Sequence, residues 1–224
     1  MKDVPFHPNE EDNLHCMQSC VLSVLDFYNV SYEIDEVDFN TGFFGGPSWS
    51  PHAVNWLNNK GLSAKLFSIF DYSQLVSDKE NYLRSFKTHG VFEKEKREGQ
   101  YEHLDEVILA SDEMVNNGSW DKSKLSIPDL AKFLKVSTHI AIAKTMTTYL
   151  GGIYNNFGNS HFVTVLEQYS QNKWIIHDSG LPPIPYRKVP QTIRHPGSDP
   201  TSIFGEIILI KKIKKKGHTK TGIS

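Results

Sequence analysis

The chain has 224 residues, 38% of them apolar before glycine is counted, and a formal net charge of −2. A chain of this length buries a core without covalent staples, and two cysteines exclude a disulfide framework. The opening stretch MKDVPFHPNEEDN lacks the apolar h-region of a secretory signal, and no apolar run approaches the roughly 18 residues of a membrane span.

These features predict a cytoplasmic protein with no membrane span. The last 14 residues, KKIKKKGHTKTGIS, hold six lysines and no acid, which leaves residues 1–210 at −8. Without interleaved aromatics the stretch 211–224 reads as a basic, disordered tail, and no DNA-binding fingerprint occurs elsewhere. No nucleic-acid partner is expected.

In chain order, residues 13–29 read as a helix, with Met17, Val21, Val24, Leu25 and Tyr28 at helical spacing. Residues 40–51, NTGFFGGPSWSP, form a Gly/Pro-punctuated loop. A short helix over 52–59 turns Val54 and Leu57 inward and stops at Gly61, and 62–69 alternates as a strand. Residues 71–117 are charged and helical, with Leu83, Phe86, Tyr101, Leu104, Val107 and Ile108 facing in. They are expected as a helical insertion, near 71–118, outside the catalytic core. Ser126, Pro128 and Asp129 open a helix running to Leu134. Then β-rich segments follow at 138–146, 161–169, 173–178 and 204–212. Helices first and strands later predict an α+β fold, with helices packed on an antiparallel sheet in a single domain over 1–210.

No GxxxxGK[ST], GxGxxG, HExxH or GxSxG motif occurs. What remains is a cysteine at a helix start and a histidine opening a strand. Cys16 follows Asn13-Leu14-His15, and a thiol at a helix N-terminus feels the positive end of the macrodipole, which favours the nucleophilic thiolate. Taken alone, a free cysteine is as well explained as a small core residue, and Cys20, one turn on, is read that way. His161 opens HFVTVLEQY and Asp178 closes KWIIHD, so a hairpin would carry both at its open end. There the imidazole can take a thiol proton and the carboxylate can orient it. His15, Cys16, Cys20 and His161 are also a thin zinc set, without a C-x₂-C pair. The loop 43–49 can wall a substrate groove or simply turn.

CMQSCVLSVLDFYNV resembles the nucleophile helix of the bacteriocin-processing, double-glycine-leader cysteine peptidases, a papain-like family. Cys16, Ser19 and Cys20, Val24-Leu25 and Phe27-Tyr28 take the pattern's places, with Asn29 in that of its glycine. HFVTVLEQY…KWIIHDSGLPP is similar to the second signature, with Ser179 where the family has proline. The resemblance covers roughly 9–70 and 120–212. It implies a papain-like α+β fold, with the nucleophile helix packed on the antiparallel sheet. It also implies a cysteine hydrolase acting on a peptide or protein through Cys16, His161 and Asp178, with no metal or organic cofactor. The family's oxyanion-binding glutamine, six residues before the nucleophile, is here Glu10, whose carboxylate would repel an oxyanion. Asn13, otherwise a helix N-cap, is the alternative amide. Acyl transfer to an amine, suggested by His15 directly before Cys16, and an inactive peptide-binding module are the rival readings. The chain carries no transporter segments, so leader processing is an analogy only.

Strand alternation adds a condition. His161 and Asp178 share a side only where residue numbers paired across the hairpin sum to an odd value. A four-residue loop pairing Gln168 with Lys173 satisfies it, as does a compensating bulge.

Overall fold

The first helix, α1 (Cys16–Phe27), buries Met17, Cys20, Val21, Val24 and Leu25, the spacing that its sequence predicts. It starts three residues later than the pattern, because Asn13 lies in the left-handed region at φ 59° and His15 is the N-cap. Asn13 is therefore not the cap. At the other end the Val30 N–H donates to the Leu25 carbonyl at 2.9 Å and the Asn29 N–H to that of Asp26 at 3.0 Å. This pairing is a Schellman closure, which needs a left-handed residue just past the helix. Asn29, at φ 53°, supplies it.

The computed structural model describes residues 1–11, 13–45, 48–87, 89–97, 99, 101–150, 160–180, 182–193 and 201–213. After α1 come α2 (Val37–Thr41), α3 (Ser50–Asn59), β1 (Leu62–Ser68), α4 (Tyr72–Phe86), α5 (His89–Arg97) and α6 (Leu104–Asn116). Then follow β2 (Trp120–Asp121), α7 (Ile127–Leu134), β3 (His139–Met146), β4 (Ser160–Ser170), β5 (Lys173–Asp178) and β6 (Ile184–Pro190). The small strands β7 (Thr192–Ile193) and β8 (Thr201–Ser202) and the long β9 (Phe204–Lys212) complete the chain. The main sheet has seven strands in the order β2-β1-β9-β3-β4-β5-β6, antiparallel except for the short β1/β2 pair. The fold is α+β, with the N-terminal helix packed on an antiparallel sheet.

The two faces of the sheet carry separate cores. Met17, Val21 and Leu25 of α1 meet Ile140, Ile142, Phe162, Leu166 and Ile208 on one face. Leu130, Ala131 and Leu134 of α7 meet Ala141, Ala143, Val163 and Val165 on the other. The segment between β1 and β2 corrects one expectation: it does not stand outside the core. Tyr72, Leu75, Leu83, Phe92, Val107 and Met114 belong to the cluster that contains α1, and the Asn55 side chain of α3 donates to the Ala110 carbonyl of α6 at 2.8 Å. A second correction is at the C-terminus, where Lys211 and Lys212, placed in the tail by charge, pair with β1 as part of β9. Residues 214–224 of that tail lie outside the described residues.

Where the chain doubles back from β4 to β5, Ser170 pairs with Lys173, and Gln168 with Trp174. A bulge between Val165 and Glu167 then changes the register, so that Val165 faces Ile176 and Thr164 faces His177. The sum at the open end is odd. Extending that register puts Asp178 opposite Val163 and diagonal to His161, within side-chain reach.

Candidate active site

Cys16, His161 and Asp178 come from three elements and meet at one end of the sheet. Cys16 is the first residue of α1, and no acid occupies the helix's first turn to oppose the dipole at the thiol. His161 is the second residue of β4, and Asp178 the last of β5. By alternation His161 points to the side of Val163 and Val165, the face covered by α7, whereas α1 packs on the opposite face. Thiol and imidazole meet at the ends of their elements, where Cys16 also bonds the backbone of Phe162 beside His161.

The His161 imidazole Nε2 lies 2.9 Å from Asp178 Oδ1, with His161 4% exposed and Asp178 fully buried. The Cys16 thiol hydrogen-bonds the same imidazole. Since Nε2 faces the carboxylate, Nδ1 is the nitrogen presented to sulfur. Burial alone would raise the thiol. The bond to His161, its charge, and the backbone N–H groups of Phe162 and Met17 outweigh that and hold Cys16 below the usual thiol range. Burial likewise disfavours the imidazolium, but Asp178 and Cys16 reverse the effect and lift His161 to about 9. For Asp178, burial pushes up while the bond and charge of His161, then Arg187 and the Gly180 N–H, pull its carboxyl below the ordinary range. Cys20 is driven the other way: burial pushes its thiol far up, despite a bond to Thr164.

Two functional candidates are invisible in the sequence. Arg187 donates from Nη1 to Asp178 Oδ2 at 2.6 Å and from Nη2 to the Leu150 carbonyl. It comes from β6, a strand that prolines at both ends disguise as a loop. Asn9 is buried, and its side-chain Nδ2 donates to Asn13 Oδ1 at 3.1 Å, while its backbone N–H donates to the Ser179 carbonyl at 2.8 Å. The side-chain bond leaves the Asn13 Nδ2 as the donor end of an exposed amide three residues before Cys16. Glu10, in the place of the glutamine, is exposed, with its carboxylate 3.9 Å from His15 Nδ1.

His15 Nε2 lies 3.7 Å from Asp38, and its ring packs on Phe43 at 4.2 Å. Among the described residues no group of three or more His, Cys, Asp or Glu side chains is arranged to hold a metal ion, so the thin zinc set is not assembled. In the loop 43–49, Phe43 and Phe44 are half-buried, Ser48 accepts a bond from Gln18 of α1 at 3.2 Å, and residues 46 and 47 lie outside the described residues.

No protein-family model matches the chain, and no curated protein matches it either. Among solved structures it is similar to a double glycine motif protease from an AMS/PCAT transporter, determined in complex with the leader peptide. The identity is 14%, the match covers 95% of this chain and 94% of that one, and the TM-score is 0.46. It is also similar to the peptidase domain of Streptococcus ComA, a bifunctional ABC transporter involved in quorum sensing. There the identity is 11%, the coverage 94% and 99%, and the TM-score 0.46. The likeness runs through nearly the whole chain. No described helix is long and apolar enough to cross a membrane.

Proposed function

We propose that the chain is a cysteine peptidase-like hydrolase that cleaves a peptide bond through a Cys16–His161–Asp178 triad. The observation that carries the reading is the hydrogen-bonded row itself: a thiol bonded to an imidazole, which is held 2.9 Å from a fully buried carboxylate. In that row the proton rests on His161, and Cys16 is poised as the thiolate. The sulfur attacks the scissile carbonyl carbon, and the electron pair of the C=O bond moves to oxygen. The Cys16 backbone N–H and the Asn13 amide are the donors proposed for that oxygen. As the tetrahedral species collapses, the C–N bond breaks and the imidazolium gives its proton to the departing amine, leaving a thioester. Water, giving a proton to the now neutral His161, attacks the thioester carbon; the C–S bond breaks, the carboxylic acid product leaves, and the thiolate–imidazolium pair is restored. Asp178 keeps the imidazole oriented through both steps.

Alkylation tests the nucleophile without knowledge of the substrate. With iodoacetamide at pH 6, mass spectrometry should find Cys16 modified and Cys20 untouched, because only Cys16 is held below its usual range. Equal inertness of the two thiols at that pH overturns the reading. Offering a peptide library together with an amine acceptor then separates hydrolysis from acyl transfer, since only transfer yields the amide adduct. Cys16→Ala should abolish either product.

A further inference from the structure

We propose that Arg187 is a positioning residue of this site, closing a row of alternating charge, Cys16–His161–Asp178–Arg187, and setting the proton balance between thiol and imidazole. The inference rests on the triad reading above and concerns a residue on the edge strand β6 that is bonded to the carboxylate of the row. Its guanidinium is held by the Asp178 Oδ2 at 2.6 Å and by the Leu150 carbonyl. The side chain is 11% exposed. Strand pairing places it there: Arg187 lies directly opposite Ile176, and the register between β5 and β6 shifts before Asp178. Asp178 thus occupies the diagonal position on the same side.

Charge bookkeeping shows what the guanidinium adds. Asp178 is fully buried, and an uncompensated buried carboxylate is costly. With the thiolate and imidazolium formed, Cys16, His161 and Asp178 together carry one net negative charge. Arg187 brings the row to neutrality. Among the described residues, the ionisable side chains that act on the imidazole include Cys16 from α1 and Asp178 from β5, with Arg187 from β6 behind the carboxylate and Cys20 of α1 coupled to Cys16 and Asp178. Lys144, on the neighbouring β3, holds its ammonium over the Phe162 ring at 5.8 Å. A fixed cation in this place favours the thiolate and disfavours the imidazolium. Arg187 therefore moderates the grip of Asp178 on the proton that His161 must later release to the leaving amine.

The two roles an arginine could have here differ in sign. If Arg187 acts through its charge, its removal raises both transitions, formation of the ion pair at low pH and loss of the imidazolium proton at high pH. If it only pins Asp178, removal lets the carboxylate drift, the imidazolium loses its partner, and the upper transition falls. The experiment is the pH profile of Cys16 alkylation by iodoacetamide, followed by mass spectrometry, for the unmodified protein, Arg187→Gln and Arg187→Lys. Both transitions should move up by about one pH unit in Arg187→Gln, which makes alkylation roughly tenfold slower on the lower limb. In Arg187→Lys, which keeps the charge, they should stay in place. Unmoved transitions in Arg187→Gln, or a fall of the upper one in either variant, overturn the proposal. If Arg187→Gln gives no cooperative thermal melt, the Lys variant decides alone. A lower transition missing from the unmodified protein strikes at the triad reading, which keeps the two failures apart.

Discussion

His177 lies one residue before the candidate orienting carboxylate, yet neither of its ring nitrogens has a hydrogen-bond partner among the described residues, and it is 2% exposed. Its ring is held edge-on between Phe6 and Tyr186, each at 5.2 Å. Burial, with a smaller contribution from the charge of His7, pulls its pKa down to about 4. A base whose folded pKa lies below its unfolded value of 6.5 takes up its proton more readily when unfolded. Stability is therefore intact above pH 6.5 and drains away as pH falls from 6.5 towards 4. The span corresponds to a loss on the order of 3 kcal/mol. Urea denaturation at pH 7 and pH 5 should show the decline in the unmodified protein and a flatter profile in His177→Leu. An equally steep decline in the variant would assign the acid sensitivity to other groups. The same residue shows what sequence reading loses. KWIIHD presents two titratable side chains in succession, and strand alternation sends only one of them toward His161.

At the scale of elements, the legible parts were those with a strong local period or a known cap. Helices α1 and α7 and strands β3, β4, β5 and β9 follow from the apolar sequence, because each helix buries one continuous face and the central strands are buried on both. Strand β6 is not legible in the sequence: its burial alternates poorly and prolines stand at its second and last positions, a composition suited to an edge that must not recruit another strand. The odd register required at the hairpin's open end followed from parity alone, whereas the bulge that delivers it depends on which residue the sheet extrudes. In the region 71–118 the apolar residues are too sparse to signal a core element, and buried aromatic rings, such as Tyr72 and Phe92, make up the difference. Asn29 gives this scale its test. It occupies the left-handed Schellman position at φ 53°, where glycine pays no steric penalty and a Cβ without a short polar group does. Asn29→Gly should leave stability level or slightly higher, and Asn29→Ala should cost about 1 kcal/mol in chemical denaturation. Equal stability of the Ala variant would mean the helix end relaxes to another closure.

At the scale of the whole molecule, residues 1–9 act as a strap that runs from the end of α7 and the start of β3 to the candidate site. Lys2 Nζ donates to the carbonyls of Leu134, His139 and Leu166, tying α7, β3 and β4 together. Val4 is buried in the α1 core, Phe6 covers His177, and His7 pairs with Asp26 of α1 at 2.8 Å. The Pro8 carbonyl accepts from Ser19 at 3.1 Å, and Asn9 then joins the residue after Asp178 to the amide of Asn13. The strap is thus continuous with the proposed oxyanion donor, so stability and site geometry should fail together when it is removed. Burial of Val4 alone is worth about 2 kcal/mol, and loss of the strap's hydrogen bonds adds to it. Deleting residues 2–9 should lower the melting temperature by about 10 °C. Asn9→Ala in the full chain isolates the second effect. It should leave most of the melting temperature in place and keep Cys16 alkylation at pH 6, since the imidazole pairing is intact, yet slow peptide turnover by about tenfold or more through loss of oxyanion alignment. Turnover unchanged in Asn9→Ala would detach the strap from the chemistry and leave Asn13 without a role in it.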